Sequence, residues 1–219
     1  MKAGFFVTGT DTDVGKTYAS GCIGHTLIQQ GIDVSPRKPI ASGCIPQADN
    51  SLYCEDAVFL KQACESEEPI ERICPNQFIP PISPQRALQQ AGITLTSKDL
   101  AKACEVDPGK FALVEGAGGF YSPLSSDGLN VDLAKLLQLP VILVVGNRLG
   151  CINHALLTIE AIEHAGLPLH SVIVNDIAPQ ADLANFKDLK HYLSEKNIGC
   201  HHLAFNPLKQ TALLPDLRV

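Results

Sequence analysis

The chain has 219 residues, with 17 Lys and Arg against 23 Asp and Glu, a formal charge of -6. At 45% hydrophobic and 18% charged residues it is too apolar for disorder, and it is long enough to bury roughly 70% of its unfolded surface without disulfides or a structural metal. The acidic balance argues against a general nucleic-acid or anionic-membrane surface, since both need clustered positive charge.

No apolar run reaches the ~18 residues of a membrane span. The opening MKAGFFVTGT lacks the charged start, apolar stretch and cleavage site of a secretory signal. The eight cysteines (22, 44, 54, 64, 74, 104, 151 and 200) are scattered singly, with no CxxC pair. Buried, reduced thiols in a cytoplasmic protein are the expectation.

The first predicted strand, AGFFVT over 3–8, enters a Gly-rich turn. A helix follows over 16–30, with Gly31 placed to end it. A second strand over 32–38 contains Pro36, which cannot donate to a ladder and belongs near a sheet edge. The stretch 41–84 is the least regular: a helix is expected over 55–64, then the acidic run 65–68 as a solvated helix end, then a Pro-rich segment. Shorter helices are expected over 85–91 and 98–104. The runs FALVE (111–115), VILVV (141–145) and SVIVN (171–175) are uniformly apolar, as strands buried on both faces should be. Ile152, Ala155, Leu156, Ile159 and Ile162 share one helical face, and Gly166 stops that helix. Leu183, Phe186, Leu189 and Leu193 repeat the pattern. This alternation predicts an α/β fold, with a mostly parallel central sheet flanked by helices on both faces, in one domain over 1–219.

In such sheets ligands bind beyond the carboxyl ends of the strands. There the chain places GTDTDVGKT (9–17), Lys38-Pro39, Glu115-Gly116, Gly146-Asn147 and Asn175-Asp176. The first is a phosphate loop: backbone N–H groups at a helix N-terminus cradle anions, Lys16 reaches the outer phosphates and the Thr17 hydroxyl ligates Mg²⁺. It carries five residues between the first Gly and Gly-Lys where four are usual, and Thr10 stands where a Gly is expected. Asp11 and Asp13 repel phosphate unless a cation shares the space, which hints at a cationic second substrate. Glu115, closing a buried strand, is a natural Mg²⁺ carboxylate. Pattern alone would leave Asp56 as a helix-dipole partner and Lys38 as a surface lysine. His201-His202 would face opposite ways on a strand, which speaks against a metal site.

Together the blocks FFVTGTDTDVGKT (5–17), RKPIASG (37–43), LVEGAGGFYSPLS (113–125), LPVILVVGNRLGCINHALLTIEAIEHAGL (139–167) and VNDI (174–177) resemble the dethiobiotin synthetase family, P-loop enzymes of biotin biosynthesis. The resemblance covers about half the chain. It implies ATP- and Mg²⁺-dependent conversion of 7,8-diaminopelargonic acid and CO₂ to dethiobiotin, ADP and phosphate. One amine captures CO₂ as a carbamate, ATP phosphorylates it, and the second amine closes the cyclic urea.

By the same resemblance Asp13, Val14, Gly15, Lys16, Thr17 and Tyr18 hold the ATP phosphates, while Thr17, Asp56 and Glu115 ligate Mg²⁺. Lys38 is the catalytic lysine beside Lys16, and Thr12 and Ser42 contact the diamine. The loop Glu115, Gly116, Ala117 and Gly118 skirts the nucleotide. Asn175, next to Asp176, reads the adenine edge, and Ala204, Phe205 and Asn206 are further candidates at the base. Gly150, Cys151, Ile152 and Asn153 open a helix suited to the substrate's far carboxylate, contributed by the partner subunit of a homodimer. Two other readings share the P-loop. A partition-type ATPase switch acting through a protein partner would carry a Lys where this chain has Asp11. A glutamine-dependent amidating enzyme would need a glutaminase domain, for which 219 residues leave no room.

Overall fold

Strand β1 (Gly4–Gly9) shows why the molecule is layered. Successive side chains on a strand point to opposite faces, so Phe5 and Val7 enter one core while Phe6 enters another. The computed structural model describes residues 3–219. After β1 the order is α1 (Lys16–Gln29), β2 (Val34–Arg37), β3 (Ile40–Ser42), β4 (Ile45–Pro46), β5 (Leu52–Tyr53), α2 (Glu55–Ala63), α3 (Ile70–Ile73), β6 (Asn76–Phe78), α4 (Pro84–Ala91) and α5 (Ser97–Ala103). The second half runs β7 (Phe111–Gly119), α6 (Asn130–Leu137), β8 (Val141–Asn147), α7 (Cys151–His164), β9 (Leu169–Asp176), α8 (Leu183–Ser194) and β10 (Gly199–Leu203).

Six strands form the central sheet in the order β10-β9-β8-β1-β7-β2, with every adjacent pair parallel. Parallel neighbours require crossovers, and those crossovers are the helices that cover both faces. On one face α4 to α8 pack over Phe6, Val114, Leu143, Val145 and Val174. On the other, Ile23 and Leu27 of α1 pack against Phe5, Val7, Leu113 and Ile142. The last residues of the chain complete this second face. Leu214 and Leu217 are buried there, with the Leu214 N–H donating to Thr26 Oγ1 at 2.9 Å and the Gln30 side chain donating to the Leu217 carbonyl at 2.9 Å.

Most predicted elements stand where the pattern puts them. Pro36 lies in β2, the sheet edge, and Gly31 is in the left-handed region at φ 81° just past α1. Four features differ. Between residues 41 and 84 the chain adds α3 and two small ladders, β3 with β6 and β4 with β5, whose two- and three-residue strands are too short for a periodic signal. Helix α6 was not expected and covers the sheet with Val131, Leu133 and Ala134. Leu156 and Leu183 are exposed, at 38% and 45%, so the apolar faces of α7 and α8 are narrower than their spacing suggests.

The fourth is Glu68, expected on a solvated helix end. Its Oε2 lies 2.8 Å from the guanidinium of Arg37, itself only 1% exposed, and its other oxygen accepts a short hydrogen bond from Ser35. Burial alone would raise the Glu68 pKa, but the bonds from Ser35 and Arg37 outweigh it and hold the pKa low. Removing one partner of such a pair strands the other in low dielectric. Arg37→Ala is therefore expected to cost about 3–5 kcal/mol in urea denaturation, and a loss below about 1 kcal/mol would show that the pair does not hold the β2 edge.

Candidate active site

The loop between β1 and α1 builds an anion cradle. Asp13 and Gly15 take positive φ, 57° and 82°, which turns the chain sharply before the helix. Gly15 precedes α1 without any side-chain cap, so the N–H groups of the first turn are available to an anion. A Cβ on Gly15 would lie 2.1 Å from Asn175 Nδ2, so glycine is required here for space as well as for backbone angle. Asn175, at the end of β9, donates to the Val14 carbonyl at 3.1 Å, tying the loop to the sheet, while its Oδ1 is buried without a partner.

Behind the loop the ends of β2, β7 and α2 bring three charges together. Lys38 Nζ lies 2.6 Å from Glu115 Oε1 and 2.8 Å from Asp56 Oδ2, and it also donates to the Gly116 carbonyl at 3.3 Å. Burial opposes the lysine's charge, but the two carboxylates more than compensate and its pKa lies above the ordinary lysine value. Lys38, at the same time, is the largest influence holding the Asp56 carboxyl below its usual range. Lys16 differs. Burial, reinforced by the charge of Lys38, lowers its pKa to about 8, and in this loop its Nζ donates to the Asp11 carbonyl at 2.9 Å. The Thr17 hydroxyl donates to Glu115 Oε1 at 2.9 Å.

These groups face a cavity of about 490 Å³. Thr12, Asp13, Gly15, Lys16, Thr17 and Tyr18 form one wall, and Lys38, Ser42 and Asp56 another. Glu115, Ala117, Gly118, Asn175 and Asp176 close the sheet side. Val14 and Gly116 support this wall without lining it: Val14 is buried, and Gly116 supplies its carbonyl to Lys38. Gly150, Cys151, Ile152 and Asn153 are not part of the lining; they begin α7. Of the C-terminal candidates, Phe205 and Asn206 line the cavity and Ala204 does not. The sequence reading missed Phe59, Ile177 and Lys209, which also line it. Phe59 lies three residues after Asp56 on α2 and so shares its face, a signal that was available; Lys209 arrives from a tail with no regular pattern.

The supports are equally specific. Asn130, at the start of α6, accepts from the Ala117 N–H at 3.0 Å and donates to the carbonyls of Ala117 and Gly119 at 2.6 and 3.0 Å, fixing the end of β7. Asp176 accepts from Asn147 at 2.7 Å and is paired with His202 at 2.9 Å, so the second of the adjacent histidines faces the cavity's rear. The cation expected to share space with the loop acids is already in the chain at one of them: Arg148 lies 3.1 Å from Asp11, leaving Asp13 to face the cavity.

The donor set suits a hard divalent cation. Two carboxylates and a hydroxyl converge, all oxygen, and Glu115 Oε2 is fully buried with no hydrogen-bond partner, a cost relieved by a metal ion. Thr17, Asp56 and Glu115 are the residues that fit Mg²⁺. An anionic triphosphate beside Asp13, Asp56 and Glu115 also needs added positive charge beyond Lys16 and Lys38.

Comparison with known proteins agrees with this chemistry. A family model described as AAA domain matches residues 3–202. The ATP-dependent dethiobiotin synthetase BioD of Pseudomonas aeruginosa is 44% identical over 80% of this chain and 78% of its own length. That of Ruthia magnifica is 37% identical over 86% of both chains, and that of Rhodopirellula baltica is 35% identical over 88% of this chain and 81% of its own. Among solved structures, a putative plasmid partition protein from Borrelia burgdorferi bound to AMPPNP superposes with a TM-score of 0.55 over 99% of this chain and 93% of that one. At 12% identity this likeness shows the fold alone.

Gly15→Ala tests the cradle. The added methyl must displace Asn175 and hold a strained backbone, so affinity for a fluorescent ATP analogue is expected to fall by about tenfold or more, the equivalent of 1.4 kcal/mol. Unchanged affinity would mean that the nucleotide does not sit against this turn.

Proposed function

This chain belongs to the ATP-dependent dethiobiotin synthetase family within the AAA domain proteins, and we propose on that footing that the cavity performs the family's ring closure. The reaction is the ATP-dependent carboxylation of 7,8-diaminopelargonic acid with CO₂ to dethiobiotin, ADP and phosphate, a ligase step of biotin biosynthesis. The observation that carries the assignment to this cavity is Lys38, held charged at 2.6 Å from Glu115 and 2.8 Å from Asp56 in the space that Lys16 also faces.

An amine of the substrate adds to CO₂ and loses a proton, giving a carbamate. The carbamate oxygen takes the γ-phosphoryl group as the bond to ADP breaks, and the second amine then attacks the carbamoyl carbon and expels phosphate. Charge is spread over the transferring oxygens throughout, so positioned cations account for most of the catalysis. Lys16 and the loop N–H groups hold the triphosphate, and Lys38 lies against the carbamate and the transferring phosphoryl group. Mg²⁺, held by Thr17, Asp56 and Glu115, neutralises phosphate charge when bound. Thr12, Ser42 and Asp13 face the diamine. Ala117 and Gly118 border the nucleotide, with Gly116 behind them. Asn175 and Asp176 lie at its base, where a carboxamide offers both a donor and an acceptor to an adenine edge.

Gly150, Cys151, Ile152 and Asn153, outside this chain's cavity, fit a role across a homodimer interface, where the N-terminus of α7 would meet the carboxylate of the partner's substrate. We take residues 1–219 to act as one synthetase domain in the cytoplasm; no helix among the described residues is long and apolar enough to cross a membrane. The partition-type switch is not favoured: Asp11 stands in place of its lysine, and the relatives at 35–44% identity are named as dethiobiotin synthetases.

Purified protein with Mg²⁺-ATP is expected to release ADP only when diaminopelargonate and bicarbonate are both present. Equal release without the diamine would sink the assignment. Lys38→Ala is expected to lower kcat by about 10²–10³-fold, the usual cost of removing one transition-state charge partner, with the circular dichroism spectrum unchanged. A variant with ordinary turnover would show that Lys38 is not the catalytic cation.

A further inference from the structure

Cys44, Cys54 and Cys74 pack together in a small third core with Ala41, Ala57 and Ile73, apart from the two cores of the main sheet. All three are buried. Among the described residues no group of three or more His, Cys, Asp or Glu is arranged to hold a metal ion, so a metal does not account for the cluster. The register does distinguish one pair within it. β4 and β5 run antiparallel, with Ile45 opposite Tyr53 and Pro46 opposite Leu52. At the turn the Gln47 N–H donates to the Ser51 carbonyl at 2.9 Å.

Bonded and non-bonded pairs alternate along such a ladder. Gln47 and Ser51 are bonded, so Pro46 and Leu52 are not, in keeping with a proline that has no N–H. One step past Ile45 and Tyr53, Cys44 and Cys54 fall opposite each other at the next non-bonded position. Their backbone groups are engaged elsewhere: the Cys44 N–H donates to Phe78 at 2.9 Å, and the Cys54 carbonyl accepts from Val58 at 3.1 Å. Residues so placed have Cα atoms about 4.5 Å apart with side chains on one face, within the ~4.4–6.8 Å that disulfides span.

We propose that Cys44 and Cys54 form a peroxide-sensitive dithiol whose closure to a disulfide lowers turnover in the adjoining cavity. Cys44 follows Ser42 by two residues, and Cys54 precedes Asp56 by two as the N-cap of α2. A covalent bond between them therefore restrains Ser42 and Asp56, two parts of the same cavity wall, at once. An oxidant scarcely larger than water suits thiols that are each 3% exposed, beneath a ladder of only two pairs that opens readily. One thiol is oxidised by hydrogen peroxide to a sulfenic acid with release of water. The second thiol then attacks that sulfur, forming the S–S bond and releasing a second water; two electrons in all pass from the thiols to peroxide. The effect on turnover rests on the reading of Ser42 and Asp56 given above, whereas the disulfide itself does not.

The full-length chain, treated with hydrogen peroxide, alkylated and digested without reductant, is read by mass spectrometry. The expected result is the loss of two of the eight thiols and a peptide linking residues 44 and 54. That link should be absent in Cys44→Ala and Cys54→Ala and present in Cys74→Ala. Diamine-dependent ADP release should fall severalfold with cross-linking and return with dithiothreitol. Unchanged thiols, or a link made instead through Cys74, would overturn the pair. A complete Cys44–Cys54 link with undiminished ADP release would overturn the coupling. A chain that never responds to the diamine, even when reduced, would overturn the functional reading, while the cross-link still decides the dithiol.

Discussion

A buried lysine between two carboxylates governs the geometry at the heart of this protein. Lys38 loses nearly all its hydration, a cost that only the nearby charges of Glu115 and Asp56 can offset. Because Glu115 lies within β7, Lys38 follows β2 and Asp56 opens α2, the pair of contacts locks three separate elements at one point. The same arrangement leaves Glu115 Oε2 buried and unpartnered and leaves the Thr17 hydroxyl bonded to Glu115. A site with this imbalance suits ligands of both signs of charge, as the proposed triphosphate and divalent cation would bring.

The strands of the main sheet were legible because both of their faces are buried. FALVE, VILVV and SVIVN could hardly be anything else, and the polar residues that close the first and last, Glu115 and Asn175, line the cavity. Pro36 correctly announced an edge strand for the simple reason that it lacks a donor. Helix α6 was missed, and one of its contributions, the Asn130 side chain bonded to the β7 backbone, has no periodicity to detect. Glu68 was misread because its partner, Arg37, lies far away in sequence; an acidic run looks the same whether it faces water or a buried guanidinium.

The site was legible in a similar, uneven way. Lys16, Thr17 and Glu115 could be reasoned from chemistry and position alone. Lys38 and Asp56 could not, since an isolated lysine after a strand or an acid at a helix start has an ordinary explanation; only the resemblance raised them, and only the fold brings them within 2.8 Å of each other. Asp11 was legible only in part. The two loop acids suggested a cationic substrate; Asp13 does line the cavity, but Asp11 is paired with Arg148, 137 positions away in the same chain.

The C-terminal tail ties one cavity wall to a distant packing contact. Phe205, Asn206 and Lys209 line the cavity in a stretch that runs on to Leu214 and Leu217, buried along α1 with bonds to Thr26 and Gln30. A change that loosens the tail from α1 therefore reaches this wall without touching any residue that lines it.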